Sequence, residues 1–117
     1  MSRYIVRIQL NHAKSADYTS LHAAMAEINF FRYIQGSQGN WYHLTTAMYY
    51  GASNKTASQL QSYLDTLIVK LYTVEKTPPT NHEILVVQES SIDWRLFQAD
   101  KNASDLPPTG RYLIAKI

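Results

Sequence analysis

Four histidines, His12, His22, His43 and His82, are the side chains of this sequence best suited to move protons near neutral pH. His43 is the best placed, because it lies in the β-prone run Trp41–Leu44, where its other interpretation is a core-edge residue or a dimer contact. His22 follows an apolar position of a helical pattern and is the second candidate, or otherwise a boundary residue. His12 and His82 lie beside turns and have surface positions as their simpler interpretation.

Arginines supply the positive charge that chemistry on a phosphodiester requires. Arg7 alternates with apolar residues, so it must face solvent, a carboxylate or an anion, and a cross-strand salt bridge or a dimer contact is its competing interpretation. Arg3 shares its face, and Arg32 precedes Tyr33 in a later aromatic run. Histidine and arginine together suit metal-free RNA cleavage, which needs a base for the 2′-hydroxyl and a group that stabilises the phosphorane or protonates the leaving oxygen.

Other chemistries lack their residues. The chain has no cysteine, which excludes disulfides, thiol catalysis and thiolate metal sites. Gly36 and Gly39 belong to a turn rather than to a phosphate-binding loop, and no serine lies in a nucleophile elbow. No set of His, Asp and Glu has metal-ligand spacing, so we expect neither a metal nor a cofactor.

Composition limits the class of protein. A chain of 117 residues with 45% hydrophobic and 17% charged residues is typical of one globular domain. No apolar run approaches the roughly 18 residues of a membrane span, and the polar N-terminus does not resemble a secretory signal, so we expect the cytoplasm and no membrane partner. Residues 1–56 carry five basic and two acidic side chains, a net charge of +3, which permits a polyanionic partner but equally suits an ordinary solvated surface.

The hydrophobic periodicity predicts strand, helix, strand, strand, helix, strand. Alternation marks the first strand over 3–10, Asp17 opens a helix that ends near Asn29, and Gly36–Asn40 is the turn of a hairpin between aromatic strands. Whether 47–50 continues the third strand is left open. Thr56 and Gln59 match a capping box before the second helix, which Thr77–Pro79 would end, and the last strand covers 83–88.

This order predicts an α+β, ferredoxin-like βαββαβ domain over residues 1–99, followed by a linker and a short docking segment over 100–117. Its antiparallel sheet would have the order 4-1-3-2 and two helices on one face. If the helices cover the face of Tyr4, then Arg3 and Arg7 lie on the open face. The same alternation would bring three residues of the second and third strands to that face as an RNA-binding platform: Tyr33, Trp41 and His43.

The chain resembles the GhoS-type endoribonuclease antitoxins of type V toxin–antitoxin systems and, more broadly, small ferredoxin-like ribonucleases associated with CRISPR systems. The resemblance covers about residues 3–97 and depends on three stretches: Tyr4-Ile5-Val6, residues 18–30 from Tyr18-Thr19-Ser20-Leu21 to Met25-Ala26-Glu27-Ile28-Asn29-Phe30, and Tyr42-His43-Leu44-Thr45-Thr46. It implies a cytoplasmic protein that binds and cleaves single-stranded RNA.

The chain departs from the family pattern at Gln9-Leu10-Asn11, where relatives often carry an aspartate for metal binding or as a base. Neither amide can act as a base, whereas His22 would supply the basic group of the first helix. We therefore expect an RNA-binding protein and metal-independent endoribonuclease with His43, His22 and Arg7 as catalytic residues. The RNA-binding residues would be Arg3, Arg7, Arg32, Tyr33 and Trp41. The alternative is a non-catalytic homodimeric interaction protein, such as a mobile-element inhibitor that acts by binding another protein.

Overall fold

The structure, a computed structural model, describes residues 2–73, 81–107 and 114–117. The predicted helix stop at Thr77–Pro79 lies outside these ranges, as do parts of the predicted linker and docking segment. The elements are β1 (Ser2–Asn11), α1 (Ser15–Glu27), β2 (Tyr33–Gln35), β3 (Trp41–His43), β4 (Met48–Ser53), α2 (Ala57–Thr73) and β5 (Asn81–Gln88). No helix within the described ranges is both long and apolar enough to cross a membrane.

The strands form two antiparallel sheets rather than the single four-stranded sheet that the sequence predicts. β4, β1 and β5 form one sheet with β1 at its centre, and β2 pairs with β3 in a separate hairpin. The α+β class with two helices is confirmed, but the order is β-α-β-β-β-α-β, so the predicted βαββαβ order is wrong.

The physical reason is a turn over residues 45–48, at the point where the sequence leaves open whether the third strand continues. The Met48 N–H donates to the Thr45 carbonyl at 3.2 Å, and Ala47 has a φ of 66°, which reverses the chain directly after β3. Residues 48–53, which follow that turn, are therefore the ones that pair with β1. The hairpin stays apart from this sheet, although Phe31 still forms an isolated bridge to Tyr50 at the edge of β4.

One hydrophobic cluster, here called the main cluster, fills the space between both helices and the three-stranded sheet, here called the main sheet. Its residues from β1 are alternate positions, which are at most 3% exposed, namely Tyr4, Val6, Ile8 and Leu10, and β4 adds Tyr49. Leu21 and Met25 of α1 and Leu60 and Leu64 of α2 pack in the same cluster. Burying such side chains contributes roughly 25 cal/mol per Å² of apolar surface, which makes this cluster the main source of stability.

A second, smaller cluster holds the hairpin. Buried Phe31 and Tyr33 pack with Ala99, and the partly buried Trp41 and Leu106 pack against them. The chain from Phe97 to Ala99 runs along β3: the His43 N–H donates to the Phe97 carbonyl at 3.0 Å, and the Ala99 N–H donates to the Trp41 carbonyl at 2.9 Å. Residues far along the sequence thus fix the position of the hairpin.

The last described residues contact the end of α1 and the free edge of β4. The buried side chain of Asn29 donates from Nδ2 to the Ile114 carbonyl at 3.0 Å. The Ala115 N–H donates to the Ala52 carbonyl at 2.7 Å, as part of a parallel bridge between 114 and Ala52. The second bond satisfies the Ala52 carbonyl, a backbone group at the outer edge of β4.

Candidate functional site

A cavity of about 450 Å³, here called the histidine cavity, opens between α1, the hairpin and the turn before β4. Its volume falls within the range of small-ligand sites. It brings two of the predicted catalytic residues, His22 and His43, to one place together with Arg32. The remaining lining residues are Ser15, Tyr18, Leu44, Thr45, Thr46, Ala47 and Met48.

His22 occupies the α1 wall of the cavity. Its Nδ1 lies 2.7 Å from the hydroxyl oxygen of Tyr49, a residue of β4 that is buried in the main cluster. Burial raises the pKa of Tyr49, so this hydroxyl stays protonated at neutral pH. Burial, together with the charge of Arg32, lowers the pKa of His22 to about 4. The His22 ring is therefore neutral near pH 7, and its orientation is fixed by a hydroxyl group.

Arg32 is held by an ion pair with a residue 73 positions away. Its Nε donates to Oδ2 of Asp105 at 2.7 Å, and its Nη2 donates to the Tyr33 hydroxyl at 3.2 Å. The Tyr33 hydroxyl in turn donates to Oδ1 of Asp105 at 2.6 Å. Burial alone would raise the pKa of Asp105, but the hydrogen bonds from Arg32 and Tyr33 outweigh burial and lower it. The guanidinium is thus a fixed cation at the cavity wall.

Tyr33 itself is 1% exposed, and burial together with its hydrogen bond to Asp105 raises the pKa of its phenol to about 12. The ring of His43 lies against it, with 4.8 Å between the two ring centroids. The backbone N–H of His43 also donates to the Phe97 carbonyl. The backbone of this histidine is therefore held by a hydrogen bond and its ring by the contact with Tyr33. The cavity therefore contains two oriented imidazoles and one guanidinium.

Arg7 lies elsewhere. It is exposed on the face of β1 opposite the main cluster, where its Nη2 is 3.4 Å from Oε1 of Gln9. It lines a separate, shallow pocket of about 190 Å³ that also contains Glu83 and Leu85. Arg3 is exposed on the same face of the strand.

The RNA platform that the sequence predicts on the open face is not assembled there. Arg3 and Arg7 occupy that face, but Tyr33, Trp41 and His43 belong to the separate hairpin, where Tyr33 and Trp41 take part in the second cluster. The alternation argument fails because it assumes that the hairpin strands continue the main sheet. The roles of these residues in binding or catalysis stay predictions.

The sequence does not identify two residues that hold the side chains of the histidine cavity in place. Asp105 lies in the predicted linker, 73 positions from Arg32, and no local pattern connects the two. Tyr49 lies in the stretch 47–50, whose pairing the sequence does not determine, so the sequence does not predict its contact with His22. Ala47, in the cavity lining, adopts a φ of 66° that only glycine takes readily, and strain of this kind is common near functional sites.

Within the described ranges, no group of three or more His, Cys, Asp or Glu side chains could hold a metal ion. Comparison of the chain with models of protein families, with curated proteins and with solved structures finds no match.

Proposed function

We propose that the protein binds single-stranded RNA and cleaves it in the histidine cavity by a route that needs no metal ion. The observation that supports this most is the convergence of His22, His43 and Arg32 on one cavity. The resemblance to GhoS-type antitoxins adds support, since it implies the same class of reaction. We therefore expect the protein to act on RNA as part of a toxin–antitoxin system.

The cleavage step is a transesterification within the RNA, in which the phosphoryl group moves from the 5′-oxygen to the 2′-oxygen. A base takes the proton of the 2′-hydroxyl, and the 2′-oxygen attacks the adjacent phosphorus. The bond from phosphorus to the 5′-oxygen then breaks, and an acid protonates that oxygen. The products are a 2′,3′-cyclic phosphate and a free 5′-hydroxyl, so atoms and charge balance. His43 suits the proton transfers, while the fixed guanidinium of Arg32 suits the negative charge on the phosphorane.

His22 suits a different role from the one that its sequence position suggests. With a pKa near 4 it is a weak base and does not become an acid at neutral pH. A neutral imidazole anchored by the Tyr49 hydroxyl is better suited to hydrogen-bond the substrate than to transfer its proton. We therefore assign His22 to substrate positioning.

The test is cleavage of a labelled mixed-sequence RNA in excess chelator and in magnesium. We expect cleavage in chelator, cyclic phosphate ends, and no cleavage of RNA methylated at every 2′-oxygen. His43→Gln should lower the rate at least 100-fold, the smaller end of the effect of a general acid or base. His12→Asn is the matched control, because His12 is exposed in a turn with a φ of 58°, which asparagine tolerates. RNA that stays intact in both buffers would rule out the nuclease.

A second candidate is a non-catalytic protein that acts as a homodimer. Its support is the open face of the main sheet, where Leu85 is 60% exposed and Val87 is 47% exposed. Exposed apolar side chains on neighbouring positions are typical of interaction surfaces. Sedimentation of the wild type and of Leu85→Lys tests the dimer, since a dimer through this face should dissociate in the variant. A dimer that leaves RNA intact in the cleavage assay would favour this candidate over the nuclease.

A further inference from the structure

A second groove of about 660 Å³ borders the histidine cavity. The two share His43, Leu44 and Thr45, and the groove extends from there along Arg95, Leu96 and Phe97. We refer to this second space as the Phe97 groove. Its volume falls within the range of ligand-binding pockets, yet the proposed RNA cleavage uses only the end of the groove at His43.

Phe97 is the most exposed large hydrophobic residue among those described, with 90% of its surface open to solvent. Its backbone is nevertheless fixed, because its carbonyl accepts from the His43 N–H at 3.0 Å and the next residue, Gln98, forms a bridge to Tyr42. The ring is therefore presented by an ordered segment beside the cavity. Aromatic rings presented in this way are what proteins use to stack unpaired bases.

The charges of the two spaces favour a polyanion. Among the described residues, the lining of the histidine cavity and of the Phe97 groove contains no carboxylate. It contains the guanidinium groups of Arg32, whose charge is partly balanced by its ion pair with Asp105, and of Arg95. Arg95 is exposed, and no described carboxylate forms an ion pair with it, although it also borders a separate pocket whose lining includes Asp93. The pocket beside Arg7 has a carboxylate in its own lining, Glu83, which would repel a phosphate.

We propose that single-stranded RNA reaches the histidine cavity through the Phe97 groove, with a base stacked on Phe97 and a backbone phosphate on Arg95. This inference rests on the proposed function and specifies where its substrate lies. It moves the binding surface from the open face of the sheet, where alternation in the sequence suggests it, to the outer side of the hairpin.

The test measures the affinity of the full chain for a fluorescein-labelled oligouridine that is methylated at its 2′-oxygens and so cannot be cleaved. Phe97→Ala should weaken binding roughly 5- to 150-fold, the effect of losing one stacked base. Phe97→Trp should restore it. Arg95→Ala should reduce the slope of log affinity against log salt by about 0.7, the value for one phosphate contact on a single strand.

Leu85→Ala, which removes an exposed apolar side chain from the open face, is the matched control and should bind as the wild type does. Arg7→Ala, which removes an exposed guanidinium from the same face, tests the open face as the alternative binding surface. If Phe97→Ala and Arg95→Ala bind normally while Arg7→Ala weakens binding, RNA lies on the open face and this inference is wrong although RNA binding stands. If the wild type fails to bind the probe, both the inference and the proposed function are wrong.

Discussion

Tyr33 and His43 lie directly opposite each other in the β2–β3 pair, and their rings meet at an angle of 50° with 4.8 Å between centroids. The hydroxyl of the same tyrosine accepts from Arg32 and donates to Asp105. Tyr33 therefore orients two side chains: its ring contacts the ring of His43, and its hydroxyl oxygen accepts a hydrogen bond from Arg32. The two groups that we assign to proton transfer and to charge stabilisation depend on a common support.

The two functions of Tyr33 can be separated by substitution. Tyr33→Phe keeps the ring beneath His43 but removes the hydrogen bond to Asp105, so the free energy of unfolding should fall by about 1–3 kcal/mol. Tyr33→Leu also removes the ring contact, and RNA cleavage should fall further than in Tyr33→Phe. Urea unfolding and cleavage rates, measured on both variants under conditions where each is folded, check this. Equal rates in the two variants would contradict a positioning role for the ring.

Asp105 should stabilise the hairpin only while it is ionised. Asp105→Asn leaves the partly buried Arg32 without its counter-ion, and we expect the free energy of unfolding at pH 7 to fall by about 1–2 kcal/mol, a modest value because the pair is partly exposed. The control is Asp100→Asn, since Asp100 is exposed and its oxygen caps a turn that the amide oxygen can also cap.

The pH dependence of this effect has a definite sign. The folded-state pKa of Asp105 is lowered, so the unfolded state binds the proton more readily and the stabilisation is complete only above the usual value of 3.8. It is lost as the pH falls through the folded-state pKa. Urea unfolding of the wild type and Asp105→Asn should therefore differ at pH 7, and the difference should shrink as the pH falls below 3.8. A constant difference across that range would show that Asp105 acts by packing alone.

His22 should destabilise the fold in mild acid. Its pKa is about 4 in the folded protein against 6.5 without the fold, so the unfolded state takes up the extra proton between these values. The free energy of unfolding should decline from pH 6.5 to pH 4 by about 2 kcal/mol after allowance for the partial exposure of the ring. In His22→Gln this part of the decline should disappear. An identical decline in the variant would assign the acid sensitivity to other groups.

The sequence predicts those features whose causes are local. Thr56 and Gln59 form the predicted capping box, with the Gln59 N–H bonded to Oγ1 of Thr56 at 3.2 Å and the Thr56 N–H to Oε1 of Gln59 at 3.0 Å. The turn at Gly36–Asn40 is also confirmed, since the Gly36 N–H donates to the Asn40 carbonyl at 2.8 Å. Both depend on residues within four positions of each other.

The features that the sequence does not predict depend on distant contacts. Alternation shows which residues of a strand share a face, but it does not show which strand lies beside it. The turn at Ala47 uses a conformation that alanine disfavours, so no turn-forming residue marks it in the sequence. The support of the hairpin by 97–107 and the partner of Arg32 both join residues more than 50 positions apart.

Substitution of Gly51 tests how closely the end of α1 packs against β4. A Cβ at this position would lie 2.8 Å from the Phe30 ring and 2.9 Å from the Asn29 carbonyl oxygen. Phe30 is fully buried and the carbonyl belongs to the backbone, so neither can move aside without displacing the end of the helix. We expect Gly51→Ala to lower the free energy of unfolding by about 1–3 kcal/mol, the usual cost of overpacking.

Gly36→Ala is the matched control for this change. Its Cβ would lie equally close to another group, 2.9 Å from the ring of Tyr42, but that ring is only half-buried and can rotate away. Urea unfolding should therefore show a clearly smaller loss for Gly36→Ala than for Gly51→Ala. Because Asn29 also bonds to the Ile114 carbonyl, Gly51→Ala should in addition make the C-terminal residues more accessible to carboxypeptidase. Similar losses for the two variants, with no change in digestion, would contradict the close contact between β4 and the end of α1.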